Sequence, residues 1–236
     1  MRPLEVLEAG RVPFTVAAEW QKELHQQRVK DEIRDLLLFL EHPHVYTLGR
    51  RFEPAHLRAS RQQLSDQGID LCEVDRGGSI TYHGPGQLVC YPILDLSEPG
   101  REFPDVVAYV RSLEVSIIKA LAELDIVAAT VEGRTGVWVT GAKIAAIGVN
   151  VSRGVSKHGL AINVCPDLKF FDGMIPCGID DASVTSVAQE LGRDVLVNEM
   201  VGPLIRSVAS IFGRDLVTEP PSRLPPSISA PSLSST

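Results

Sequence analysis

The chain has 236 residues, 44% of them hydrophobic and 22% charged, which places it among folded globular proteins rather than disordered ones. Its net charge of -7 and pI of about 5.4 exclude a phosphate-binding surface spread over the whole molecule, while a local basic pocket stays open. A chain of this length buries a sizeable core without disulfides or metals.

Taken in chain order, "LEVLEA" alternates as a short strand. From Pro13, Val16, Ala17, Trp20 and Leu24 recur at helical spacing, predicting an amphipathic helix to about Arg34. "DLLLFLEH" is a continuous apolar run, as in a strand covered on both faces. "HVYTLG" follows as a strand, residues 53–68 hold a short helix, and "IDLCEVD" and "ITYH" read as strands. "GQLVCYPILDL" is a long buried strand. The clearest helix runs from about Pro104 to Leu124, with Val106, Val110, Leu113, Ile117, Leu121 and Leu124 in one stripe. "VAATV", "GVWV", "KIAAIGVNV" and "HGLAINV" are strand-like, and two helices follow near 184–191 and 199–212. Strands outnumber helices and often follow one another directly, which predicts an α+β (mixed α/β) single domain over residues 1–218. Residues 219–236, rich in Pro and Ser, are expected to be a disordered tail.

The four cysteines stand at 72, 90, 165 and 177, with no CxxC pair and no nearby His at finger spacing. A structural zinc site is not expected, and scattered cysteines fit a reducing, cytoplasmic setting. "MRPLEVLEAGRVPF" carries no apolar core of signal-peptide length, and no apolar run approaches the roughly 20 residues of a membrane span. Neither a membrane nor a nucleic-acid partner is expected.

Four stretches carry more Gly and polar residues than packing requires. In "DRGGSITYHGPGQ", Gly77 and Gly78 read either as a hairpin turn or as backbone that approaches a ligand closely. In "GAKIAAIGVNV", alternation puts Lys143 on the face of Ala145, Ile147, Val149 and Val151. There it is either a desolvated base with a lowered pKa or a strand-end lysine that snorkels to water. In "KHGLAINV", Gly159, Ala161 and Asn163 share a face with room beside it, and His158 points away with Leu160 and Ile162. Cys72, Cys90 and Cys165 lie in apolar runs and read as core residues. Cys177, in "MIPCGID", sits in a loop between Pro and Gly, either filling a turn or holding a reactive thiol. Neither GxxxxGK[ST] nor a helix-opening GxGxxG occurs.

Taken together, "LLFLEHPHVYTLGRR", "RGGSITYHGPGQLVCYPI", "AKIAAIGV", "HGLAINV" and "IPCGI" with "ASVTS" resemble, in order, the blocks of the lipoyl(octanoyl) transferase family, over about residues 4–212. The resemblance implies the fold of biotin protein ligases and lipoate ligases. It implies transfer of an octanoyl group from octanoyl-acyl carrier protein to a lysine of the lipoyl domains of 2-oxoacid dehydrogenase E2 subunits or of the glycine cleavage H protein. It implies a catalytic pair on Cys177 and Lys143. Substrate-contacting positions fall on Arg76, Gly77, Gly78, Ser79, Ile80, Thr81, Tyr82 and His83, on Ala146, Ile147 and Gly148, and on Gly159, Leu160 and Ala161. No cofactor and no metal is implied. Backbone N–H groups around Gly77, Gly78 or Gly148 are candidates for the oxyanion, and Arg50, Arg51, Arg58, Arg76 and Arg153 for a basic rim facing acidic partners. The alternatives are an ATP-dependent ligase of the same fold, a Cys/His hydrolase using His83 or His158, and a non-catalytic acyl-binding module.

Overall fold

The computed structural model describes residues 2–97, 104–175 and 183–217. Its elements are β1 (Arg2–Arg11), α1 (Phe14–Val29), β2 (Asp35–Glu41), β3 (Val45–Leu48), α2 (Arg61–Asp66), β4 (Asp70–Glu73), β5 (Ile80–His83), β6 (Gln87–Ile93), α3 (Val106–Ala122), β7 (Ala129–Val131), β8 (Arg134–Val139), β9 (Ala142–Ser152), β10 (Val155–Asn163), α4 (Val187–Leu191), α5 (Val201–Phe212) and β11 (Arg214–Leu216). Short 3-10 turns cover Pro54–His56, Leu168–Gly173 and Val197–Met200. The expected α+β domain with mixed sheets is what forms.

One eight-stranded sheet has the order β11-β1-β2-β6-β10-β9-β8-β7, parallel among its first three strands and antiparallel beyond. A three-stranded sheet, β4-β3-β5, stands beside it. The continuous apolar run of β2 is explained by cover on both faces. Leu37 and Phe39 join Leu88, Ile162 and the helices α3 and α5 in the larger core. Leu36, Leu38 and Leu40 face the other way, against Ala17, Trp20 and Leu24 of α1. A third apolar cluster, built on Tyr46, Leu48, Ile80 and Tyr82, sits under the small sheet.

Several elements depart from expectation. Helix α1 stops at Val29, because Asp31 takes a left-handed backbone (φ 59°) and Arg28 turns back to Asp31 and Asp35. The last helix begins at Val201 after a 3-10 turn, with Pro203 tolerated in its first turn. Strand β11, three residues with no alternation to announce it, pairs parallel to β1. Of the cysteines read as core, only Cys90 is buried; Cys72 is half-buried on β4 and Cys165 is exposed just past β10. No helix of the described residues is long and apolar enough to cross a membrane.

Candidate active site

A cavity of about 610 Å³ opens between the small sheet, the face of β9 and β10 that looks toward α1, and the start of α1, a volume ordinary for small-molecule sites. The strands that wall it are those whose inward residues are small. Across the β9–β10 ladder Gly148 stands opposite Gly159, and Ala146 opposite Ala161. Gly159 has a second reason to lack a side chain: a Cβ there would stand 2.2 Å from the carbonyl oxygen of Cys90 on β6.

Lys143 reaches this cavity through a β-bulge. Val137 of β8 pairs with Ala145, but Trp138 pairs with Lys143, so Ile144 is an extra residue on β9. The bulge corrects the face expected from alternation. Lys143 leaves the side of Ala145, Val149 and the α3–α5 core and joins Trp138, Ala146 and Gly148. It is buried, at 8% exposure, with its Nζ 5.3 Å from the centre of the Trp138 ring, within cation–π range. Its side chain crosses Gly136, where a Cβ would lie 2.6 Å from Lys143 Cε. On the backbone, Lys143 N–H donates to Ser183 O (2.8 Å), and Thr185 N–H donates to Lys143 O (3.0 Å). Val184 therefore lines the same cavity.

The glycine-rich stretch before β5 forms the opposite wall. Arg76 is buried, and its guanidinium donates to Thr47 O (2.6 Å), Thr47 Oγ1 (2.8 Å) and Gly77 O (3.0 Å). It is thus a strut of the wall and not part of a basic rim. Gly77 N–H donates to Val149 O (2.9 Å), which ties the small sheet to β9 and engages that donor. Gly77 is accordingly removed from the oxyanion candidates. The other arginines proposed for the rim, Arg50, Arg51, Arg58 and Arg153, are all exposed, and Arg51 also lines the cavity.

Of the expected positions, Arg76, Gly77, Gly78, Ser79, Ile80, Thr81, His83, Ala146, Ile147, Gly148, Gly159, Leu160, Ala161 and Lys143 line the one cavity. Tyr82 does not. It is fully buried under the small sheet, its hydroxyl within 2.8 Å of His44 Nδ1 and its ring stacked on Phe170 (centroids 5.3 Å). Phe170 also stacks on His44, and Tyr46 O–H donates to Phe170 O. These contacts fasten the 3-10 turn Leu168–Gly173, and Ile175 N–H donates onward to His56 O (2.8 Å). Cys177 falls in 176–182, outside the described residues; Met174 before it and Val184 after it both line the cavity.

His158 also departs from alternation. Its backbone is left-handed (φ 55°), which turns the ring away from Leu160 and Ile162 to the cavity side. There Nε2 lies 2.7 Å from Asp75 Oδ1 and the ring meets Tyr91 edge-on. Burial would raise the Asp75 carboxyl, but the hydrogen bonds from Lys157 and His158 outweigh it and hold the group at about 2. Burial pushes the His158 imidazole below its ordinary value, against the pull of Asp75.

The residues that sequence reasoning passed over are the buried polar partners. Gln87 opens β6, Asn163 ends β10, and Thr185 precedes α4, all nearly inaccessible. Gln87 Nε2 donates to Asn163 Oδ1 (2.9 Å), and Asn163 Nδ2 donates to Thr185 O (3.0 Å). His83 Nδ1 lies 2.7 Å from Gln87 Oε1. Burial pushes the His83 imidazole down to about 3 and that of His42, beside it, to about 4. An amide inside an apolar strand is the available signal, since a buried amide demands partners.

Comparison with known proteins agrees with this geometry. The family model for the lipoyl protein ligase A/B catalytic domain matches residues 13–209. A Chloroflexus aggregans protein named octanoyltransferase is 48% identical over 215 residues, covering 90% of this chain and 96% of its own. A Corynebacterium efficiens octanoyltransferase is 46% identical over 217 residues, covering 89% of this chain and 82% of its own. Among solved structures, the fold matches a bi-partite lipoate protein ligase of an archaeal lipoylation system from Thermoplasma acidophilum, with a TM-score of 0.68, 19% identity and coverage of 92% and 88%. It also matches a lipoate-protein ligase A bound with ATP, with a TM-score of 0.68, 18% identity and coverage of 92% and 90%.

Proposed function

We propose that this chain, which belongs to the lipoyl protein ligase A/B catalytic-domain family, is an octanoyltransferase of protein lipoylation. The donor in this reading is octanoyl-acyl carrier protein. The acceptors are lysines of lipoyl domains, those of 2-oxoacid dehydrogenase E2 subunits, and of the glycine cleavage H protein. Residues 1–218 act as one catalytic unit in the cytoplasm, and 219–236 lie outside it.

The acyl group travels through Cys177. In the first step the Cys177 thiolate attacks the donor thioester carbonyl, and collapse of the oxyanion expels the carrier as its thiol. In the second the acceptor amine attacks the Cys177 thioester; the C–N bond forms, the C–S bond breaks, and the amine gives up a proton. Lys143 serves both steps, first as the cation beside the thiolate and then as the base. A free thiol, with a pKa of about 8.5, is only a few per cent ionised at neutral pH, so a neighbouring ammonium has work to do.

The observation that carries this reading is the stitching of Lys143 to the chain just past Cys177. Ser183 and Thr185 hydrogen-bond both sides of the Lys143 peptide, and the chain on each side of 176–182 lines the same cavity as Lys143. Intact-mass spectrometry of the protein mixed with octanoyl-carrier protein tests it. The expected result is a gain of one octanoyl group, absent in Cys177→Ala. A wild-type protein that takes up no acyl group, or a Cys177→Ala variant that still does, overturns the reading.

A further inference from the structure

The hydrogen-bond chain behind the cavity has a fixed polarity, and the polarity can be worked out atom by atom. Thr185 O is a carbonyl and can only accept, so Asn163 must present Nδ2 to it and Oδ1 to Gln87. Gln87 must then present Nε2 to Asn163, which also lets it donate to Tyr82 O (3.3 Å). That leaves Gln87 Oε1 facing His83 Nδ1 at 2.7 Å, so Nδ1 carries the ring proton. In a neutral imidazole Nε2 is then bare and can only accept. His83 therefore cannot donate to an oxyanion.

His42, buried behind the wall, reaches the same state independently. His42 Nδ1 lies 2.7 Å from Val12 O, again a carbonyl, so Nδ1 is protonated and Nε2 is bare. Nε2 lies 2.7 Å from Tyr91 Oη, which must donate to it. The Tyr91 hydroxyl thus keeps only lone pairs for the cavity. His83 and Tyr91 flank His42, with ring centroids 5.7 and 5.9 Å from it, and both line the cavity.

We propose that His83 Nε2 and Tyr91 Oη form an acceptor-only subsite that receives the amino group of the incoming lysine, with Gln87 and Asn163 as positioning residues that fix the polarity of His83. The proposal rests on the transferase reading. An amine matches because it brings more than one N–H on a single nitrogen, whereas an amide of a carrier arm brings one. Two acceptors take those N–H groups and leave the nitrogen lone pair for the thioester. Burial keeps both histidines neutral, so the subsite holds the amine without taking up a proton from water.

The test has two arms on the full-length protein, with melting temperatures as the control for folding. Nitrogen-15 NMR of the histidine rings reads the polarity directly. The expected spectrum has His83 as one Nδ1–H tautomer that does not titrate across neutral pH; an Nε2–H tautomer overturns the proposal. In single-turnover assays with octanoyl-carrier protein and then a lipoyl domain, His83→Asn and Tyr91→Phe should each slow aminolysis of the acyl-enzyme by about tenfold to a hundredfold, with acylation near normal. Normal aminolysis, or a loss confined to acylation, overturns it. Gln87→Glu sharpens the positioning role. A carboxylate beside Nδ1 raises the His83 pKa, so aminolysis should fall as pH drops through that raised value and recover above it. A Gln87→Glu defect equal at every pH marks a merely structural role and overturns it. Failure of the wild-type enzyme to take up acyl groups would sink the transferase reading, while the tautomer measurement still decides the polarity.

Discussion

Strands β9 and β10 present two faces built from neighbouring residues. Ala145, Val149, Leu160 and Ile162 pack with α3 and α5 in the larger apolar core, the first three also bordering the cavity and Ile162 standing clear of it. Gly148, Ala146, Gly159, Ala161 and Asn163, set between them, wall the cavity with Lys143. The first face buries apolar area, worth roughly 25 cal/mol per Å². The second gives up that burial: its residues are small or polar, and its polar groups are held in hydrogen-bond networks. Under the proposed function, stability and chemistry draw on different faces of one sheet and can be damaged separately.

The largest separable effect should come from Lys143→Ala. The hydrogen bonds that stitch Lys143 to Ser183 and Thr185 are backbone bonds, so the substitution leaves them in place. Loss of a general base typically costs about 100- to 10,000-fold in rate, and kcat should fall in that range with little change in melting temperature. Lys143→Arg adds resolution, since a guanidinium keeps the cation but does not deprotonate. It should preserve part of acyl-enzyme formation and lose aminolysis. Turnover near wild type in Lys143→Ala would remove the lysine from the mechanism.

The reverse experiment is Ile162→Ala, on the apolar face. Ile162 is fully buried and does not line the cavity. A buried truncation of this kind costs about 2–5 kcal/mol, readable as a drop in denaturant midpoint at unchanged slope. Rates measured on the folded protein well below its melting point should match wild type. A rate loss without a stability loss would contradict the division between the faces.

The two faces were not equally legible in the sequence. The apolar face was, because its side chains repeat with the period of the element: the α3 stripe and the unbroken run of β2 dictate their partners. The cavity face was legible only as composition. That Lys143 belongs to it depends on a bulge at Ile144, which reverses the parity of the strand and has no residue signature of its own. His158 takes a left-handed backbone without being glycine, so alternation sent it to the wrong side. Tyr82 sits within a run whose neighbours line the cavity, but the pleat turns it under the small sheet. Gln87 and Asn163 meet across 76 positions of chain, a distance that local pattern does not bridge. The ordered motif blocks marked stretches that the structure brings to one cavity, because they report which stretches occur together, without needing the pleat.

The smallest predicted effect probes the shape of the cavity face alone. Ala146 is half-buried and lines the cavity opposite Ala161 across the ladder. If the octanoyl chain runs along these small residues, Ala146→Leu fills part of its slot without entering the α3–α5 core. Long acyl donors should then lose against short ones. A misfit of one or two methylene groups in an apolar pocket changes selectivity by about 10- to 200-fold, so the octanoyl-to-butanoyl ratio of kcat/KM should fall toward the lower end of that range. Butanoyl transfer itself should hold, because the reacting carbonyl stays near Lys143. An unchanged ratio would mean that the chain lies elsewhere in the cavity, and that these residues are small for the close approach of the strands alone, as Gly159 is toward Cys90.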